Sequence, residues 1–424
     1  MSHELFARTQ KDEIDSKITK RHFPRNNNES VLDFVFEKDP NNYLRKNKIL
    51  IKGNIEVDKR FVTESGFAHK LFSMMTVSVN SQIVTKNNNK YLLCTLFVDI
   101  HFFFSAEYFL GDYLQKICNF NVSTIGSVYS TEGYHDVYNF RDLNDMASTT
   151  VALRQRFGHE VNTGKLTYEF TLTPCVGFLG SPQPLLTNCE LEISFDRSKA
   201  QNVLLEKTAV AAADKPANDY IKINDCVAIT EWISSESLRD YFMTIENNPI
   251  IYEYDDCDIY IKNIPSETTD IRIDNFRGGN IPEYLFAGII PQKCLKGDYK
   301  MSSTCFEDND VIAFNITLNG SSVNGYPIEV SKGCSAFTMQ KFFDVTNRYY
   351  NIQCGENLSK TKFDYNYLWS HQFEGEETPQ GWLGINLKLK NAFAKQTPMS
   401  LIIWTISKNA LSIDKFHQIR KINL

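Results

Sequence analysis

From Val31 onward the chain is written in short apolar runs of four to eight residues, broken by Asn, Gly, Pro and Asp. That texture restricts the fold more than any other feature. A helix needs apolar positions three and four apart over ten or more residues, whereas short runs that alternate apolar and polar suit strands with one buried face. KILIKGNIEV at 48–57 places Ile49, Ile51, Ile55 and Val57 on one face, and MTVSVNSQIV at 75–84 does the same with Val77 and Val79. KLTYEFTLTP at 165–174 sets Leu166, Tyr168, Phe170 and Leu172 against Thr and Glu, and CELEISFDRS at 189–198 repeats the pattern. Strands at this spacing predict an all-β sandwich architecture.

The 424 residues allow two or three units at roughly 150 residues each, or two large sandwiches. The stretch 206–219, EKTAVAAADKPAND, is small, polar and Pro-containing, so it is the expected connection. The domains therefore read as an N-terminal arm at 1–30, a first sandwich at 31–205, a linker at 206–219 and a second sandwich at 220–424. The arm is polar, with Lys17, Lys20, Arg21 and Arg25 leading into three asparagines. The second unit is expected to open with the strand YIKINDCVAITEWI at 220–233. The clearest helix follows at 234–247, where Ser residues can cap, Glu236 comes early, and Leu238, Phe242 and Ile245 share a face. Further strands are expected at 257–264, 270–276, 311–320, 381–390 and 400–406, with little helix between them.

Composition excludes several classes. Hydrophobic residues at 42% and charged residues at 23% rule out a disordered or coiled-coil chain. A net charge of -6 is too acidic to clamp nucleic acid over the whole surface. Ten dispersed cysteines with no Cys-x-x-Cys read as free thiols, and five Asn-x-Ser/Thr triplets, at Asn28, Asn121, Asn315, Asn319 and Asn357, are expected to carry no sugar because no secretory leader is visible. The apolar stretch 91–110 contains Asp99, His101 and Glu107, so it reads as buried protein and not as a membrane span.

No chemical motif rises above this background. GHEVNTGKLT at 158–167 has five residues between its glycines and Leu after Lys, so it reads as a hairpin turn and not as a phosphate loop. Acidic clusters at Asp255, Asp256, Asp258 and at Glu307, Asp308, Asp310 lack the Gly and closing Glu of a calcium loop and read as solvated strand-end loops. Eight scattered histidines give no zinc spacing, and no Gly-x-Ser-x-Gly occurs. Trp232 and Trp404 sit in apolar strand runs and read as core, while Trp369 and Trp382 stay open as a sugar cradle. The sequence names no catalytic, cofactor-binding or metal-binding residue and calls for no cofactor. It points to a structural or binding protein; the alternative is a two-domain β-sandwich carbohydrate-binding protein or glycoside hydrolase with Trp369 and Trp382 in a groove.

One segment carries a family pattern. PEYLFAGIIPQKCLKGDYKM at 282–301, with Phe286, Gly288, Pro291, Gly297 and Tyr299, resembles the strand entry and Gly-Asp-Tyr turn of the double jelly-roll major capsid proteins of Maverick/Polinton elements and adintovirus-like DNA viruses. INDCVAITEWISSESLRDYF at 223–242 is similar to the family's strand and helix, and VIAFNITLNGSSVNGYPIEV at 311–330 to its strand, turn and short strand. The stretches 34–57, 69–84 and 185–199 resemble, more loosely, its opening strands, first hairpin and the last strand of its first barrel. MSSTCFED at 301–308 departs from the Asn-Pro-Phe stretch usual after the Tyr. The resemblance implies two tandem eight-stranded jelly-roll sandwiches with a few short helices, a double jelly roll. It further implies a non-enzymatic capsid subunit in the virion, a homotrimer packing against neighbouring capsomers, a single jelly-roll penton protein and minor capsid proteins as partners, and weak DNA contact through the arm at Lys17 to Arg25.

Overall fold

A computed structural model describes residues 14–28, 30–64, 66–84, 110, 114, 158–162, 164–174, 177–206, 220–243, 249–304, 306, 311–323, 325, 327–329, 336–350, 367–373, 380–395 and 397–423. The acidic cluster at 307–310, residues 91–109 of the apolar stretch and residues 207–219 of the expected linker lie outside them.

The longer strands of the first half are β1 (Ser16–His22), β2 (Val31–Phe36), β3 (Leu50–Asp58), β4 (Phe72–Val79), β5 (Gly158–Asn162), β6 (Lys165–Leu172), β7 (Leu191–Arg197) and β8 (Ile223–Ser234). One sheet runs β1-β8-β3-β6-β5 and the facing sheet centres on β2-β7-β4, all antiparallel. The alternation read from the sequence places Ile51, Ile55, Val57, Leu166, Tyr168, Phe170, Leu172, Leu191, Ile193 and Phe195 in the core between them. Asn162 pairs with Lys165, so the 158–167 segment is a hairpin, as expected.

Two boundaries differ from the sequence reading. Ser16–His22 is not a free arm: it pairs residue by residue with β8 and forms the edge of the first sheet. β8 in turn does not open the second unit, because it lies between β1 and β3. Its alternation is unremarkable locally, and its place was fixed by hydrogen-bonding partners distant in sequence, which periodicity does not report. The helix α1 (Glu236–Met243) follows it and packs Leu238 and Phe242 into the same first core, Phe242 stacked 5.0 Å from Tyr43. Ser235 Oγ accepts the Leu238 N–H at 3.4 Å, the expected serine cap.

The second half contains β9 (Ile250–Ile264), β10 (Asp270–Asn280), β11 (Tyr284–Pro291), β12 (Val311–Leu318), β13 (Trp369–Gln372), β14 (Gln380–Leu389), β15 (Met399–Ile413) and β16 (Ile419–Asn423). One sheet runs β9-β15-β11-β13, with β16 also on β15, and the other centres on β10-β14-β12. Its core includes Phe286, Phe314, Trp369, Leu383, Ile385, Leu401 and Trp404. A 15-residue helix, α2 (Ala336–Tyr350), covers this core, although little helix was expected here. Among its described side chains Thr338, Phe342, Val345 and Thr346 are buried, the three- and four-residue spacing of one helical face. Among the described residues no helix is long and apolar enough to cross a membrane.

Candidate functional site: the joint between the two sandwiches

The chain's most elaborate chemistry lies where its two cores meet. β9 and β15, each of 15 residues, pair along their whole length, from Ile250↔Ile413 to Ile264↔Met399. At one end Ile250, Tyr252, Leu411 and Ile413 belong to the first core; at the other Ile259, Ile264, Met399, Leu401 and Ile403 belong to the second. A single two-stranded ribbon thus serves both sandwiches. Antiparallel partners point to the same side, and the ribbon's middle pairs, Asp256↔Ser407 and Asp258↔Thr405, are polar.

Arg277 of β10 crosses from the opposite sheet to this middle. Its guanidinium donates to Thr405 Oγ1 and, at 2.9 Å, to Ser407 Oγ, and it lies 3.3 Å from Asp258 Oδ2. Asn409 Nδ2 donates to Asp256 Oδ2 at 2.9 Å. The acidic residues at 255–258 are therefore not a strand-end loop but the centre of a long strand, and Asp256 and Asp258 help form a polar seam between the cores. Burial, reinforced by Asp258, pushes the neighbouring Tyr260 hydroxyl up to about 12.

Lys46 is 0% exposed beside this joint. Its Nζ donates to the carbonyl oxygens of Ser181 and Gln183 at 2.8 and 2.7 Å, and lies 4.9 and 5.5 Å from the ring centroids of Phe178 and Tyr252. Carbonyl dipoles and two π faces solvate the ammonium in place of water. Desolvation still holds its pKa well below the ordinary lysine value. Tyr252 comes from β9, and its hydroxyl accepts the Leu186 N–H at 3.0 Å, so the ribbon and the Phe178–Leu186 loop are fastened together.

A third fastening uses the segment that carries the family pattern. Gly297 adopts φ +86 after a short helix at Gln292–Lys296, and the chain then turns so that Tyr299 enters the first core, its ring 5.2 Å from Phe61. Tyr299 O accepts the Glu206 N–H at 2.7 Å, and Gln201 Nε2 donates to Lys296 O at 2.8 Å. The loop beyond meets Glu64, itself 0% exposed. Glu64 pairs with Lys70 and accepts the Ser303 backbone N–H at 3.2 Å and the Ser303 hydroxyl at 2.9 Å, while Lys70 Nζ donates to Thr304 Oγ1 at 3.0 Å. Earlier in the same pattern, Gly288 lies in β11 where a Cβ would come within 2.7 Å of both Leu368 and Phe306, and Phe286 is fully buried. Pro291 precedes the Gln292–Lys296 turn. The five pattern residues thus shape the second core and its docking onto the first.

The remaining sequence candidates do not converge. Trp369 is 0% exposed, stacked 4.7 Å from Phe314, so no groove forms from Trp369 and Trp382; Trp382 is 51% exposed on β14. Trp232 and Trp404 are core, as read from their apolar runs. Three of the four basic residues of the arm pair with this chain's own carboxylates: Lys17 with Glu231, Lys20 with Asp39 at 2.6 Å, and Arg25 with Glu192. Among the described residues no three His, Cys, Asp or Glu side chains are grouped to hold a metal, and Cys189 and Cys226 are buried free thiols. Lys46, Glu64, Lys70 and Arg277 were missed by sequence reading, since a lone charge between apolar runs looks the same whether it faces water or a joint.

No family model matches the sequence, and no curated protein matches it. The fold does have solved counterparts. A chain of the Sputnik virophage solved by cryo-EM aligns with TM-score 0.61 and 10% identity over 97% of this chain and 89% of that one. The PBCV-1 virus capsid aligns with TM-score 0.55 and 11% identity, over 98% of each chain. The mavirus major capsid protein aligns with TM-score 0.54 and 10% identity, over 98% of this chain and 93% of that one. The fold is the double jelly roll of such capsid proteins.

Proposed function

We propose that this chain is the structural subunit of the protein shell of a double-stranded DNA virus or of a virus-like element of the Maverick/Polinton type, working as a homotrimer with a pseudo-hexagonal outline. The observation that carries the reading is the joint. A subunit that must present two sandwiches side by side at a fixed angle needs a rigid connection, and here a shared ribbon, a buried lysine and a buried carboxylate pair fasten the two cores. The end-to-end likeness to the mavirus major capsid protein and the PBCV-1 capsid supports it. Three such subunits supply six similar sandwiches to a hexagonal lattice position, with neighbouring capsomers, a single jelly-roll penton protein and minor capsid proteins completing the shell in the virion. Lys17, Lys20 and Arg25 are already paired with carboxylates, so DNA contact through this region is at most weak.

Light scattering of the purified chain, followed by negative-stain imaging of the same fractions, tests the reading. A mass of three times 48.8 kDa with hexagonal outlines is expected. The trimer contacts should exceed the roughly 2,000 Å² at which obligate interfaces begin. A compact monomer at micromolar concentration across a range of salt refutes it.

A further inference from the structure

Of the four tryptophans, Trp232, Trp369 and Trp404 are at most 2% exposed, while Trp382 is 51% exposed on the outer face of the β10-β14-β12 sheet. An exposed indole forgoes the burial that normally places Trp inside. Its surroundings are specific. Trp382 lies directly opposite Gly278, and the next pair on that face is Gln380↔Asn280. Cross-strand partners stand about 5 Å apart and same-face neighbours on one strand about 7 Å apart. The four positions therefore form a square with an indole at one corner, two amides at two others and no side chain at the fourth. A Cβ on Gly278 would meet only Asn275 Oδ1 within 4 Å, at 3.6 Å, so the space beside the ring is open. The irregularity between Ile273 and Arg277 raises a low wall on the other side, where Asn275 takes φ +50 and its Oδ1 comes within 3.6 Å of a Cβ placed on Gly278. The platform is also held in place: Trp382 N–H donates to Asn319 Oδ1 at 3.0 Å, and Asn319 N–H donates to Trp382 O at 2.9 Å.

We propose that Trp382 and this square form a contact site for a neutral glycan, taking the face of one pyranose ring on the indole above Gly278. The C–H face of a pyranose stacks on an aromatic plane, and its equatorial hydroxyls need groups that both donate and accept, which the amides of Asn275, Asn280 and Gln380 supply. Among the described residues no cation stands in the square to favour a phosphate or sulfate, since Arg277 is turned inward onto Thr405, Ser407 and Asp258. The isolated indole among amides offers area for a sugar ring but little for an apolar protein surface. The site is independent of the trimer reading.

The test uses the full chain and neutral tetrasaccharides of the cello-, chito- and galacto- series, first on an array and then in solution, with acrylamide quenching of tryptophan emission as the second readout. Three of four indoles are shielded, so quenching reports Trp382. Expected results are binding of at least one series, protection of the emission by that sugar, a loss of affinity of tenfold or more in Trp382→Ala, and retention within about threefold in Trp382→Phe. Gly278→Val fills the open corner without disturbing the core, and should abolish binding while leaving the thermal midpoint unchanged. This second variant keeps the test decisive if Trp382→Ala folds poorly. Absence of binding by the wild-type chain while Trp382 remains quenchable overturns the proposal. Loss of quenching on self-assembly, with no sugar present, also overturns it, because the face then belongs to a contact between copies of this chain.

Discussion

Gly297 and Gly320 offer a matched experiment on the joint. Both have positive φ, +86 and +82. A Cβ on Gly320 would meet nothing within 4 Å, whereas on Gly297 it would collide with the side chains of Asn202 and Gln201 from the first sandwich. Gly320→Ala therefore carries backbone strain alone, about 1 kcal/mol. Gly297→Ala carries comparable or larger strain plus the collision. Relief requires Gln201 to move, which sacrifices its 2.8 Å hydrogen bond to Lys296 O. Such a bond contributes about 1 kcal/mol, and residual overpacking adds about 1 kcal/mol more, for a total near 3 kcal/mol. With an unfolding entropy of about 2.1 cal/mol/K per residue, the 424 residues turn this into a fall of roughly 3 °C in Tm if unfolding is cooperative. Urea denaturation gives the free energies, and hydrogen exchange gives the location: amides at 296–304 should exchange faster in Gly297→Ala and unchanged in Gly320→Ala. Adding Gln201→Ala to Gly297→Ala should restore part of the loss. Equal costs for the two glycine variants, within about 0.5 kcal/mol, would refute the claim that this turn is wedged into the first sandwich.

Other expectations follow from the same geometry. Glu64→Ala removes the acceptor of Ser303 N–H and the carboxylate facing Lys70, and should cost about 3–5 kcal/mol in urea unfolding, with Glu64→Gln less severe. Lys46 has a folded pKa well below its unfolded value near 10.5, so the unfolded chain binds more protons in the window below that value and stability should rise with pH through it; Lys46→Met should flatten that rise as pH approaches 10.5. His22 has its pKa lowered by burial and by Lys20, and its Nε2 lies 2.9 Å from Thr230 Oγ1. The unfolded chain takes up the proton first, so stability is lost as pH falls below about 6.5, and β1 amides should lose exchange protection there before the rest of the sheet. Burial raises Asp39, but the hydrogen bonds from Lys20, Asn41 and Asn42 outweigh it and hold the carboxyl at about 2; its contribution is full above the ordinary value of 3.8 and is lost as pH falls from there to about 2, and Asp39→Asn should remove it, as acid titration followed by circular dichroism would show.

The sequence by itself determined which segments become strands and which face of each is buried. Ile49 through Val57 and Leu166 through Leu172 alternate so regularly that only one face can enter a core, and that rule is local: successive side chains point to opposite sides. It also determined the hairpin at 162–165 and the helix beginning at Glu236, because turn residues and a serine cap act within a few residues of themselves. Tertiary structure decided the rest. The strand at 223–234 was legible as a strand but not as a member of the first sandwich, since its partners Ser16–His22 and Leu50–Asp58 lie far away in the chain. Residues 250–264 were legible only from 257 onward: the polar centre of that strand, Asp255 to Asp258, looks like a loop until Arg277, Thr405 and Ser407 are brought against it. Lys46 and Glu64 carry no signal in the sequence, and became the fastenings of a joint because folding delivered carbonyls, rings and hydroxyls to them from elements up to 239 positions away. Periodicity is a property of one segment, whereas a joint is a property of segments that meet only after folding.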